Sequence, residues 1–143
     1  MKNGPFLDIE SFRTIDTRRI LYLLLCVFAF VFTEVGRFIY RPYIYANEIN
    51  DFGIADSIGN LGGIMVQIFL GMTLLNPSLK KGLRLVLLFT IGYFIYEFAQ
   101  PYFPKGVFDW KDVYGTIIGG GIATILLIFL HRKLQNNRVY HKF

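Results

Sequence analysis

Glu97, Gln100, Asp109 and Asp112 interrupt a stretch that is otherwise apolar and aromatic, GYFIYEFAQPYFPKGVFDWKDVYGTIIGGG over Gly92–Gly121. Three carboxylates and an amide this close in sequence offer two kinds of chemistry. Crowded acids can share a proton, so that one of them works as acid or base. Carboxylate and amide oxygens can also hold Mg2+ or Ca2+, and such an ion binds phosphate-bearing headgroups. Neither pattern is a recognised catalytic signature, so the acids leave open whether the chain is an enzyme. Plainer roles exist as well: Asp112, at a helix start, suits an N-cap and the helix dipole, and Asp109 suits Lys111 or solvent.

Similar residues recur in the first half at similar spacing. Glu34-x-x-Arg37 in FTEVGRFIYRP stands against Glu97-x-x-Gln100 in IYEFAQPYFPK, and three residues apart on a helix the first two form an ion pair. Phe52, Asp56, Gly59, Asn60 and Gly63 fall on Phe108, Asp112, Gly115, Thr116 and Gly119. The chain therefore reads as a duplicated helical hairpin, with the seven-residue excess of Glu34–Asp56 over Glu97–Asp112 assigned to the outer loop. Gly59-x-x-x-Gly63 and Gly115-x-x-x-Gly119 each place two glycines on one helix face, the device by which membrane helices pack closely.

The elements that must carry these residues are membrane helices. Of 143 residues, 54% are apolar and 17% aromatic, too greasy for an ordinary soluble domain. Four stretches, near Ile20–Ile39, Ile54–Leu75, Leu83–Tyr102 and Val113–Leu130, have the length that about 30 Å of hydrocarbon requires. The expected fold is an all-α membrane protein of four transmembrane helices, one domain over 1–143. It comprises an N-terminal segment (1–19), a bundle (20–130) and a basic tail (131–143) in which His131 and His141 lie. NPSLKKG over Asn76–Gly82 reads as a tight turn, with Pro77 stopping a helix and Gly82 suiting the bend. The first 19 residues lack the apolar core of a cleavable signal peptide, so the first helix is expected to direct insertion.

Charge sets the expected orientation. Lys2, Arg13, Arg18, Arg19, Lys80, Lys81, Arg84, Arg132, Lys133, Arg138 and Lys142 share one side, eleven of the fifteen basic residues. Arg37, Arg41, Lys105 and Lys111 occupy the other. The positive-inside rule then places both termini in the cytoplasm, with the protein in the cytoplasmic membrane. Of the acids, Asp8, Glu10 and Asp16 fall inside and the rest outside. If each hairpin starts and ends inside, the two are parallel repeats about an axis along the membrane normal. The formal charge of +5 sits at segment ends without a basic, aromatic-studded patch, which argues against nucleic acid. Cys26, the single cysteine, excludes a disulfide framework and a thiolate metal site.

From Asp56 to about Gly121 the chain resembles the VanZ-like family, small membrane proteins named for one that raises resistance to the glycopeptide teicoplanin. The residues that carry the resemblance are ADSIGN, YEFAQPYFP and FDWKDVYGTIIGG. Family members commonly carry a histidine where this chain has Asn60, an arginine where it has Val107 and an asparagine where it has Thr116. The resemblance implies an integral envelope protein whose outward acidic pocket engages a surface lipid, a lipid-linked cell-wall precursor or an amphiphilic glycopeptide. Glu97, Gln100, Asp109, Asp112, Asp56, Asn60, Glu34 and Arg37 are the candidate lining. Two other classes stay open: a small membrane enzyme acting on a lipid-linked substrate through the carboxylates, and a non-catalytic subunit whose glycine faces meet a second copy or a partner membrane protein.

Overall fold

The computed structural model describes residues 16–104 and 106–140, with 135–140 described by backbone alone. Lys2, Asp8, Glu10, Arg13, Lys105, His141 and Lys142, used in the charge and tail arguments, lie outside the described residues, as does the side chain of Arg138. The elements are α1 (Thr17–Val35), a π-helical turn (Gly36–Tyr40), α2 (Arg41–Ala46), α3 (Ile54–Leu75), α4 (Leu79–Ala99), a 3-10 turn (Gln100–Tyr102) and α5 (Trp110–Tyr140). No strand occurs among the described residues.

α1, the π turn and α2 run on as one helix, so four helices are long and apolar enough to cross a membrane: Thr17–Ala46, Ile54–Leu75, Leu79–Tyr102 and Trp110–Leu134. Their outer faces present Phe28, Phe38, Leu88, Ile95 and Ile125, each more than half exposed. In water such surfaces would aggregate; against lipid they cost nothing. The chain is on these grounds a multi-pass membrane protein.

Local chemistry explains the helix ends. The Asp16 carboxylate accepts from the Arg18 amide at 3.4 Å and caps α1. Asp51 accepts from the amides of Gly53 at 3.0 Å and Ala55 at 2.6 Å, satisfying donors at the start of α3. Gly53 is needed there on two counts. Its φ of 84° is left-handed, and an added Cβ would sit 3.1 Å from the Lys111 side chain. At the other end, Asn76 takes a left-handed φ of 41° and Pro77 has no amide to donate, so α3 stops and α4 begins at Leu79. Gly82 is not part of that turn. It lies one turn inside α4, where a side chain would press on Leu127 at 3.2 Å and Met72 at 3.4 Å.

α3 is the central helix, packed on α1, α4 and α5. Its Ile64, Ile68, Phe69 and Met72 are fully buried among Tyr22, Ala29 and Leu127. Burial of that kind is worth about 1.5–3 kcal/mol per side chain in water. Between membrane helices, however, close van der Waals packing must supply most of the gain. The glycines permit it unequally. A Cβ on Gly115 or Gly119 would collide with the backbone of Ser57 or Leu61, so α5 lies directly against the α3 main chain. On the opposite side of α3, Gly62 faces Thr33, and Gly36 faces Ile58. The packing expected of Gly59 is not made: a Cβ there would meet nothing within 4 Å, while one on Gly63 would meet only the Tyr93 hydroxyl at 3.1 Å. Gly62, one register along, takes the place against α1.

Two further expectations are corrected. The seven-residue excess of the first hairpin is helical. The connections 47–53 and 103–109 are equal in length, whereas the first helix continues from Glu34 through the π turn to Ala46 and the third stops at Tyr102. His131 is not in a solvated tail: α5 continues past it, and it is 4% exposed. Its Nδ1 hydrogen-bonds the Tyr22 hydroxyl at 3.0 Å, tying the first and last helices together.

Candidate functional site

Glu97 lies in the last turn of α4 and is only 1% exposed. Its Oε1 accepts from the Asn60 amide of α3 at 2.7 Å, and its Oε2 accepts from the Gln100 amide at 2.5 Å. Gln100 can reach because it stands three residues on, one helical turn away. Asn60 reaches across the interface between α3 and α4. Both carboxylate oxygens are thus held by neutral amides, with no cation among the described residues in contact. A buried acid served this way is fixed in orientation, since each oxygen has one donor in a set direction.

A second cluster surrounds Asp56 in the first turn of α3. Its Oδ1 accepts from Arg41 at 3.3 Å and also from the Tyr45 hydroxyl; its Oδ2 accepts from Lys111 of α5 at 2.6 Å. Arg41 and Lys111 are about half exposed, at 46% and 47% of their side chains. The π turn accounts for Arg41 and Tyr45 being available. Each residue inserted into a helix rotates the remainder of that helix by about 100°, and Arg41 and Tyr45 then share one face four residues apart. Arg41 also stacks over the Tyr45 ring, 5.3 Å from its centre.

Asp109 caps α5: its carboxylate accepts from the Lys111 amide at 2.9 Å, and its backbone oxygen accepts from the Asp112 amide at 3.2 Å. The capping role expected of Asp112 therefore belongs to Asp109. Asp112 sits one turn further, partly buried, within electrostatic reach of Glu97, Asp109 and Asp56, and its carboxylate hydrogen-bonds none of the described residues. Phe98 and Phe108 stack with centroids 5.3 Å apart, and Trp110 meets both rings edge-on, making a small aromatic group that precedes Asp112 in the chain. Thr116, a turn below Asp112, is fully buried with its hydroxyl oxygen unpartnered.

Glu34 and Arg37 form an ion pair at 3.5 Å with side chains 30% and 56% exposed. No hydrogen bond or ion pair among the described residues joins this pair to Glu97 or Asp56. Of the eight candidate lining residues, the structure thus gathers Asp56, Asn60, Glu97, Gln100, Asp109 and Asp112 at the ends of α3, α4 and α5, and leaves Glu34–Arg37 to one side.

The acids do not assemble as a metal site. Among the described residues no three acids, histidines or cysteines come together in a group that could hold an ion, because Glu97 faces α3 while Asp109 faces its own helix start. A cavity of about 440 Å3 opens beside Asn60, between α3 and α4. Asn60 and Gln67 line it from α3, and Phe89, Gly92, Tyr93 and Tyr96 from α4. Asn60 thus belongs both to the cavity wall and to the Glu97 cluster.

Arg41, Tyr45 and Lys111 were missed by sequence reasoning, as was the Tyr22–His131 pair. The four-residue spacing of Arg41 and Tyr45 was the available signal, but it becomes one only once the helix is known to continue past Arg37. Compared with protein-family models, curated proteins and solved structures, the chain matches none.

Proposed function

We propose that the chain is a VanZ-like protein of the cytoplasmic membrane, with both termini in the cytoplasm. Its polar cluster at the outer helix ends engages the headgroup of a cell-envelope lipid, a lipid-linked precursor or an amphiphilic glycopeptide. In this reading it lowers susceptibility to such a compound by binding, and it arose by duplication of a helical hairpin.

The observation that carries the proposal is Glu97, only 1% exposed and held on both oxygens by Asn60 and Gln100. An acid inside a spanning segment costs on the order of 3 kcal/mol on insertion scales. Together with the separate Asp56, Arg41 and Lys111 cluster at the start of α3 and α5, the oriented acid suits a site with both signs of charge. A phosphate-bearing or zwitterionic headgroup requires such a site.

The test is teicoplanin susceptibility of cells expressing Glu97→Gln or Asp112→Asn at matched membrane abundance. Both substitutions keep shape and remove charge, and protection falls to the level of cells lacking the protein. Full protection in the doubly neutralised variant would leave the acids as caps and interface charges, and would favour the packing-subunit reading. Orientation is checked separately: a cysteine at Ser78 is shielded from an impermeant thiol reagent in intact cells, and one at Phe103 reacts.

A further inference from the structure

Gln67 lies near the middle of the spanning helix Ile54–Leu75 and is exposed, yet its amide makes no hydrogen bond among the described residues. An unpaired amide facing hydrocarbon is expensive, since lipid offers neither donor nor acceptor. Its place is the wall of the cavity between α3 and α4. Asn60 stands on the same wall seven residues earlier, about 10 Å up the helix. Across from them are the Tyr93 and Tyr96 rings, whose hydroxyls hydrogen-bond no described residue, and Phe89. Leu88 and Tyr96 on the rim are 63% and 57% exposed, so the cavity opens sideways to lipid. Gly92 lines it too, and a Cβ there would meet nothing within 4 Å.

We propose that this cleft binds the hydroxyl-rich, uncharged headgroup of a sugar-bearing lipid, drawn below the membrane surface along the Asn60–Gln67 wall. The proposal goes beyond the functional reading above and stands on the cleft's own lining. The lining has the chemistry for such a ligand. Amide and phenol groups donate and accept to hydroxyls without demanding a charge, and aromatic faces take the apolar side of a sugar ring. A phosphate in the same place would be buried with no cation lining the cavity. A second copy of this chain would have to insert a convex helix into a concave slot of about 440 Å3, a volume within the usual range for small-molecule sites.

The experiment uses the full chain in nanodiscs of phosphatidylethanolamine and phosphatidylglycerol. The probes are a monoglucosyl diacylglycerol and a phosphatidylglycerol carrying the same photoactivatable acyl chain. The glucolipid labels the α3 and α4 segments flanking the cleft about fivefold more than the phospholipid, the ratio that about one extra hydrogen bond provides. Gly92→Leu, whose side chain enters open space, removes that preference, and Gln67→Leu reduces it several-fold. Equal labelling by the two lipids overturns the inference, as does a preference that survives both variants. If Glu97→Gln abolishes protection while labelling shows no glucolipid preference, the functional reading stands and this inference falls. If the preference is lost in Gly92→Leu while Glu97→Gln leaves protection intact, the cleft stands and the functional reading falls.

Discussion

Glu34 and Glu97 are each met by a polar side chain from three residues further on, and the likeness ends there. Glu34 meets a cation, Arg37, at 3.5 Å in a setting where both remain substantially exposed. Glu97 meets two neutral amides at 2.7 and 2.5 Å and is almost wholly enclosed. The glycines differ in the same way: Gly115 and Gly119 lie on the α3 backbone, while Gly59 borders open space. Equal spacing has therefore produced unequal settings: α5 lies on the α3 main chain and Glu97 is locked against α3, while Gly59 and the Glu34–Arg37 pair stay open. The cause lies in where each helix sits. α3 and α5 share the tightest interface, and α4 carries Glu97 onto α3, whereas α1 approaches α3 from the other side.

The largest effect that sharpens this contrast comes from the glycines. Gly119→Leu forces a side chain into the main chain of Leu61, which cannot rotate away, so folded protein is lost or destabilised by about 3 kcal/mol or more. Gly59→Leu changes stability by less than about 0.5 kcal/mol, the ordinary range for a surface change. Thermal unfolding in detergent compares the two, and equal losses would remove the distinction between the two glycine positions.

Next in size is the pair of acids. Glu97→Leu leaves the partly buried Asn60 and Gln100 amides without their acceptor, costing about 1–3 kcal/mol. Glu34→Leu removes an exposed ion pair and costs under about 1 kcal/mol. A double-mutant cycle on Asn60 and Glu97 gives a coupling of about 1 kcal/mol, above that measured for Glu34 and Arg37. The reverse order would show that the enclosure of Glu97 is not what fixes it.

The smallest effect belongs to the exposed cluster around Asp56. Lys111→Met lowers stability only slightly, and the loss shrinks further between 0.05 and 1 M salt, where the screening length falls from above 10 Å to about 3 Å. A loss that salt does not touch would place Lys111 in packing rather than in charge.

Features carried by local physical signals were legible in the sequence, and those set by helix rotation were not. Span length and apolarity located all four helices, and the bounds of Ile54–Leu75 agree with the helix observed. The first helix overran its expected end because Arg37, Arg41 and Pro42 resemble a terminus. A π turn, which no residue pattern here announces, instead carries the chain on to Ala46. Pro42 follows directly on the π turn inside this continuous helix, so its missing amide falls where the ladder is already shifted to an i→i−5 bond. Two aspartates three apart at a helix start could not reveal which was the cap; backbone geometry chose Asp109. The Asn60–Glu97 contact joins residues 37 apart, and the Tyr22–His131 contact joins residues 109 apart. Such pairings depend on how each helix is turned about its axis, which hydropathy does not encode.

The proposed outward site requires an acid at 97, and not merely an acid–amide pair between α3 and α4. Exchanging the partners, as Asn60→Asp with Glu97→Gln, keeps one carboxylate and one amide at the same interface. Teicoplanin susceptibility of cells expressing the exchanged protein at matched abundance separates the two ideas. The account predicts stability near that of the unaltered chain and susceptibility as high as for Glu97→Gln alone. Full protection from the exchanged protein would contradict it.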